Sequence, residues 1–338
     1  MDLRHNGGGS LEEAISLTGL FIKEGPVVQI KDSNDRIFVD KDTDANILYN
    51  GPLIVLTSRF SASASEILAG ALQDYGRALI VGDSSTHGKG TVQSLLQLAP
   101  YMRQRGLAAT NNPGAVKITI RKFYRASGAS TQLKGVTPDL VLPSVNNYAE
   151  VGEASLENPL PWDTVRSETY EKMNRVEPYL AELKRRFEAR AAEDHDWRYV
   201  REEIERYKKL LAEKSVSMNE AERLKEKKDN DERTKARKKD LASRPESKEK
   251  VYEITLKLAA EPGLPPAVSK TNHIANAETN QPAKKAEPKL ADEDSTDESI
   301  DEKAPNLDIP LEETKRILAD YVSLTAKQDG LAATTEKK

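Results

Sequence analysis

Leu53-Ile54-Val55-Leu56-Thr57, followed by Ser58-Arg59-Phe60-Ser61-Ala62-Ser63-Ala64-Ser65-Glu66, decides the reading of this chain. The first five residues are a short apolar run, bounded by Gly51-Pro52 and Ser58-Arg59, and read as a buried strand. Ser63–Tyr75 then reads as a helix, with small residues at Ala64, Ala69, Gly70 and Ala71 for close packing. Ala78–Gly82 is a second buried strand, and Gly88-Lys89-Gly90-Thr91 opens a third. Strand, helix, strand predicts an α/β layer with parallel pairings.

The serines sit where a strand turns into a helix. A side chain there meets the positive end of the helix dipole and its unpaired N–H groups, which favour an alkoxide and the oxyanion that follows it. Ser61, Ser63 and Ser65 are all candidates, and simple N-capping is the plain alternative. Lys89 lies between two glycines, an odd place for a solvating charge. Desolvation lowers a lysine pKa and frees an amine to act as a base. A surface hairpin lysine is the plain alternative. Hydroxyl and lysine together are the parts of a Ser-Lys hydrolase. Upstream, His5-Asn6-Gly7-Gly8-Gly9 can turn backbone N–H groups toward a developing oxyanion, or be an ordinary strand-to-helix turn. His87, two residues before Lys89, and His5 are rival bases. A P-loop fits poorly, because Gly90 stands where Ser or Thr would hold magnesium. No set of His, Asp and Glu has metal-ligand spacing, so neither metal nor cofactor is expected.

The 338 residues are unevenly spent. Most Val, Ile, Leu and Gly fall in residues 1–150, and charged residues dominate beyond about 165. A net charge of −4 implies no strong field toward nucleic acid or membrane. Without cysteine there is no thiol chemistry. No apolar run is long enough for a membrane helix, and no secretory signal opens the chain, which reads as starting in mid-motif, the C-terminal part of something longer. Residues 9–23 fit an amphipathic helix capped by Ser10, and Val27–Lys31 with Arg36–Val39 a hairpin. Thr91–Leu98 and Val116–Tyr124 read as strands. Residues of about 165–190 and 196–240 read as long charged helices, and Val251–Leu258 as a strand. The basic clusters at Lys225–Lys228 and Arg237–Lys239 alternate with acids and read as solvated helix faces, not a nucleic-acid surface.

With these residues in hand, the chain resembles the tail-specific proteases, or C-terminal processing peptidases, in their long Gram-negative form. Five blocks carry the resemblance: Asp2–Gly9, Phe60–Ile67, Gln73–Ala78, Gly88–Gln93 and Gly135–Asp139. It implies Ser63 as nucleophile, Lys89 as general base and Gln93 as the residue orienting that lysine. Residues 89, 91 and 93 share one face of a strand, which suits that role. Asp74 matches a carboxylate important in the long form, with a structural role equally open. Backbone N–H groups of Gly8 or Gly9 and of Ala64 match the oxyanion hole. The implied fold is a partial, crotonase-like α/β protease core, then a mainly α-helical charged C-terminal region with a disordered segment. The implied activity is that of a serine-type endopeptidase cleaving proteins with unstructured, apolar C-terminal tails. A periplasmic setting follows from the resemblance, with a lipoprotein adaptor or peptidoglycan hydrolase as partner. Two departures stand out: His5 and His87 replace the family's usual Asn and Phe, and the loop before Gly88 is one residue longer. The family's PDZ domain has no counterpart in these residues.

The expected organisation is a protease core over 1–143, a connector over 144–163 and a helical domain over 164–261. A disordered acidic and Pro-rich linker over 262–306 and a terminal amphipathic helix over 307–326 complete it. The rival reading is an inactive protease remnant acting through its helical region.

Overall fold

The computed structural model describes residues 1–106, 112–244, 249–268 and 307–335. Two wholly buried apolar runs form its centre: β3 (Ile54–Thr57) and β4 (Leu79–Gly82) pair in parallel, and β7 (Leu140–Val141) extends the sheet beside β4. Residues 1–3 run parallel to β3 on its other side, with Leu3 N–H donating to Leu56 O at 2.8 Å and Leu56 N–H to Met1 O at 2.9 Å. Helix α2 (Ala64–Asp74) joins β3 to β4, and its residues 64–72 are all buried. Such a helix must be covered on more than one side. The second cover is an antiparallel sheet in the order β2-β1-β6-β5, made of β1 (Gly25–Asp32), β2 (Ile37–Asp42), β5 (Thr91–Gln97) and β6 (Ala115–Arg125). The helix packs on β1 and β6 of that sheet and on β4 of the other, and Val55, Leu68, Leu72, Ile80 and Phe123 meet in one core. Truncating the fully buried Leu72 to Ala would cost about 2–5 kcal/mol. Among the described residues parallel pairing thus joins the short strands β3, β4 and β7 and the segment 1–3, and the longer strands pair antiparallel.

The expected helix at 9–23 is α1 (Leu11–Gly19), capped by Ser10, whose hydroxyl accepts from Glu13 N–H at 3.2 Å. A short helix, α3 (Leu98–Gln104), follows β5.

The charged region differs from its sequence reading at both ends. Residues 165–176 run outside any helix. Their N–H groups bond the core backbone instead: Val165 to Gly128 O, Glu168 to Ala126 O, Met173 to Tyr75 O and Arg175 to Gly76 O, each at 2.8–2.9 Å. Pro178 stands at the start of α4 (Glu177–Glu193), where a missing N–H costs nothing. Leu183, Phe187 and Ala191 are its buried stripe. Asp194 caps α5 (His195–Glu213), whose Trp197 meets Phe187 edge-on at 5.9 Å. The second expected helix breaks at Lys214, in the left-handed conformation, and restarts as α6 (Glu220–Ser243) on an Asn219 cap. Val251–Leu258 forms no strand; residues 249–268 are irregular apart from one turn of 3-10 helix at Leu258–Ala260. The final helix, α7, spans Ile309–Thr335.

The described chain divides into two compact units, residues 1–216 with 308–338, and residues 217–307. In the first, α7 packs on α4 and β3. In the second, α6 buries none of its residues. Of the expected linker at 262–306, residues 269–306 lie outside the described residues. The architecture is a mixed helix-and-sheet core followed by a mainly helical C-terminal region.

Candidate active site

Three parallel segments, 1–3, β3 and β4, end at the same edge of their sheet. Their exit loops are Arg4–Gly9, Ser58–Ser63 and Asp83–Gly90, the three stretches that carry the candidate chemistry. The carboxyl ends of parallel strands are where α/β sheets place their sites. Backbone bonds lace the loops together. Ala62 N–H donates to Asn6 O at 3.1 Å, and His87 N–H to Ser61 O at 2.9 Å.

The structure separates the three serines. Ser61 is fully buried, and its hydroxyl donates to Leu3 O at 2.7 Å and accepts from Ser58 N–H at 2.9 Å. Ser65 donates to Asn6 O at 3.0 Å. The half-buried Ser63 takes no capping bond with its hydroxyl. Its backbone, at φ 58° and ψ −116°, lies where a Cβ is strained by about 1–3 kcal/mol. The glycine loop closes over this turn. Gly8, at φ +95°, lies so close that a Cβ there would be 2.6 Å from Ala62 O and 2.8 Å from both Ala64 N and Ser63 Cβ. Gly8 N–H is used within its loop, donating to Asn6 Oδ1 at 3.0 Å. Gly9 and Ala64 N–H donate to no oxygen among the described residues.

Lys89 is held from two sides. Its N–H donates to Glu66 Oε2 at 3.0 Å, and its carbonyl accepts from Thr131 Oγ1 at 3.1 Å. On either side Gly88 O accepts from Leu133 N–H at 2.8 Å, and Gly90 N–H donates to Gln132 Oε1 at 2.8 Å. Gly88, at φ +88°, passes so near Leu133 that a Cβ would be 2.9 Å from its carbonyl carbon.

Glu66 joins the two halves. The same oxygen that accepts from Lys89 N–H accepts from Ser63 N–H at 2.8 Å. Its other oxygen accepts from Thr86 Oγ1 at 2.5 Å and Gly88 N–H at 2.7 Å. Glu66 is fully buried and has no cation partner among the described residues. Burial pushes its carboxyl up to about 7, against the pull of the four hydrogen bonds. Sequence reasoning passed over this residue. Its signal was the Ser-x-x-Glu spacing of a capping box at Ser63–Glu66. Nothing in the sequence marked Thr86 or Gln132.

The remaining candidates have other partners. Gln93 Nε2 donates to Thr91 Oγ1 at 2.8 Å and weakly to Thr119 Oγ1 at 3.4 Å, and a register shift against β6 falls between Val92 and Gln93. Asp74 is at the far end of α2, about 15 Å of helix rise from Ala64. Arg125 grips it through Nη2 at 2.6 Å and Nε at 3.1 Å, and Ser127 Oγ donates at 3.0 Å. His87 has its pKa pushed down, first by burial, with Glu153 opposing and the charges of Arg59 and Lys89 adding. Its Nδ1 is buried without a partner among the described residues. His5 is exposed and stacks on Phe60 at 6.0 Å. No group of three His, Asp or Glu side chains gathers at Ser63 among the described residues.

Comparison with known proteins gives two family matches. Peptidase family S41 matches residues 1–142, and the C-terminal domain of tail specific protease matches residues 146–323, more than half of the chain. The chain belongs to the tail-specific protease family. It is 41% identical over 249 residues to the tail-specific protease of Haemophilus influenzae, which covers 72% of this chain and 34% of that protein. It is 40% identical over 143 residues to the carboxy-terminal-processing protease of Bartonella bacilliformis, 42% of this chain and 30% of that protein. Among solved structures, the photosystem II D1 C-terminal processing protease shares 33% identity at a TM-score of 0.36, covering 42% of this chain and 33% of that one. The chain thus spans about a third of the length of the curated relatives it matches. The matches divide this tail-specific protease chain at residues 142–146, just after β7 ends.

Proposed function

We propose that this chain carries the catalytic centre of a serine-type endopeptidase, with Ser63 as nucleophile and Lys89 as general base. One observation supports it above the others: a single carboxylate oxygen of Glu66 fixes the backbone N–H of both residues. Lys89 takes the Ser63 hydroxyl proton as Oγ attacks the scissile carbonyl. The tetrahedral oxyanion falls to the N–H groups of Ala64 and Gly9, since Gly8 N–H is occupied and its tight packing sets the loop's distance. The Lys89 ammonium returns the proton to the departing amine, and the C–N bond breaks to leave an acyl-serine. Water then attacks that ester, losing a proton to Lys89, and Ser63 is released as the hydroxyl. Gln93 would orient Lys89 through its amide oxygen, which the bond from Nε2 to Thr91 leaves available.

The family points to protein substrates with unstructured, apolar C-terminal tails, to a periplasmic setting, and to a lipoprotein adaptor or peptidoglycan hydrolase as partner. Among the described residues no helix is long and apolar enough to cross a membrane.

A second reading makes His87 the base, because its lowered pKa leaves it neutral at pH 7 with an unpartnered Nδ1. Cleavage of an unfolded reporter with an apolar tail tests both, using the chain and its Ser63→Ala, Lys89→Ala and His87→Ala variants. Loss of cleavage in the first two, with His87→Ala retaining most of it, is the expected pattern. Survival of cleavage without Lys89 but not without His87 would overturn the lysine assignment. No cleavage by the folded wild-type chain would favour an inactive remnant.

A further inference from the structure

The glycine loop is tethered to a helix some three hundred residues away in sequence. Arg4 lies four residues before Gly8, and its guanidinium is largely covered. It reaches Asp308 with two parallel bonds, Nη1 to Oδ1 at 2.7 Å and Nη2 to Oδ2 at 2.5 Å. Asp2 accepts from Nε and Nη2 of the same side chain, at 2.7–3.1 Å. Two-pronged arginine–carboxylate pairs fix orientation as well as distance. Arg4 O accepts from the Ser58 hydroxyl, and Asn6 O from Ala62 N–H and Ser65 Oγ. The Arg4 side chain therefore anchors a backbone whose next turns lean directly on the Ser63 elbow.

Asp308 is itself fixed. It caps α7, its Oδ1 accepting from Leu311 N–H at 3.1 Å and its carbonyl from Glu312 N–H at 2.9 Å. Ile309, Ile317 and Tyr321 of α7 are buried, and Tyr321 donates to Arg175 O at 2.9 Å. The fully buried Glu313 pairs with Arg190 at 2.7 Å, and Asp320 binds Arg186 at 2.7 Å and Arg190 at 2.5 Å. A helix so held has little freedom to carry Asp308 away from Arg4.

We propose that Asp308 and Arg4 are positioning residues for the oxyanion loop, so that docking of α7 sets the catalytic competence of Ser63. This rests on the reading of Ser63 as the nucleophile. The test uses the full 338-residue chain with Asp308→Ala and Asp308→Glu. Two quantities are measured: kinetics on the apolar-tailed reporter, and backbone hydrogen exchange in residues 5–9. Asp308→Ala is expected to lower kcat roughly tenfold at little-changed KM, since an ångström of misplacement costs up to about a hundredfold. It should also speed exchange across Gly7–Gly9 while α7 stays protected. Asp308→Glu, which keeps the carboxylate, should recover most of both. Unchanged loop exchange and unchanged kcat per folded molecule in Asp308→Ala, with only a lower melting temperature, would overturn the proposal and leave Asp308 a simple helix cap. If the Ser63→Ala chain still cleaves, the nucleophile assignment falls, and loop exchange alone decides the tether.

Discussion

The two ends of α2 bury a carboxylate in opposite ways. At the C-terminal end Asp74 meets a cation: Arg125 binds both its oxygens and also donates to Gly70 O, covering a last-turn carbonyl of the helix. At the N-terminal end Glu66 meets no cation among the described residues, only three backbone N–H groups and one hydroxyl. The two-pronged ion pair fixes one side chain against another. A carboxylate shared among N–H groups from two loops fixes main chain to main chain, here the backbones of the proposed nucleophile and base. The difference separates an end that holds a helix to a sheet from the end that carries the proposed chemistry.

The sharpest way to break this contrast is at the chemical end. Gly8→Ala forces a Cβ within 2.6–2.8 Å of the Ser63 turn at φ +95°. A loss of kcat of about a hundredfold or more is expected in steady-state hydrolysis. Glu66→Gln comes next. Its amide NH2 must face N–H donors that a carboxylate accepted, leaving buried groups unpaired at about 1–3 kcal/mol each. We expect kcat to fall roughly tenfold to a hundredfold and the melting temperature to drop.

Glu66 also gives a signed pH dependence. Its carboxyl is raised in the folded chain to about 7, from 4.5. The folded state therefore holds a proton that the unfolded state has lost between those values. Its stabilising contribution is full below about pH 4.5 and is lost as pH rises to about 7, with a slope up to about 1.4 kcal/mol per unit. The ionised form keeps all four donors, so turnover should rise through neutrality. Denaturant melts from pH 4.5 to 8 on wild type and Glu66→Gln check this, and an identical slope in both would refute it.

At the other end, Asp74→Ala leaves Arg125 mostly buried and unpaired. About 3–5 kcal/mol of stability should be lost, with cleavage falling in step with the folded fraction and returning on cooling. A kcat loss in fully folded Asp74→Ala protein would put this residue back among those acting on the reaction. The smallest effect belongs to Gly9→Ala, whose Cβ would meet nothing within 4 Å; kcat within a few-fold of wild type is expected.

The core was legible because its signals are local. Leu53–Thr57 and Ala78–Gly82 are too apolar for anything but buried strands, and the serine cluster marked the start of α2. Apart from the family resemblance, residue types alone do not tell Ser63 from Ser61 and Ser65, because the distinction lies in bonds to Leu3 and Asn6, nearly sixty residues away. Glu66 was passed over, because its burial depends on Thr86, Gly88 and Lys89 closing over it. Residues 165–176 read as helix because their charges suit one, yet their N–H groups bond Gly128, Ala126, Tyr75 and Gly76. Tertiary partners outweighed propensity there.

The Arg4–Asp308 pair closes a loop of 304 positions. A ribosome makes Arg4 long before Asp308, and domains condense from the N-terminal side as they emerge. Such distant closure comes late, because the chain entropy of the intervening stretch must be given up first. If α7 sets the oxyanion loop as proposed, the Ser63 centre would be completed late in synthesis. A chain without this helix would then turn over more slowly, and full activity would wait for α7 to dock.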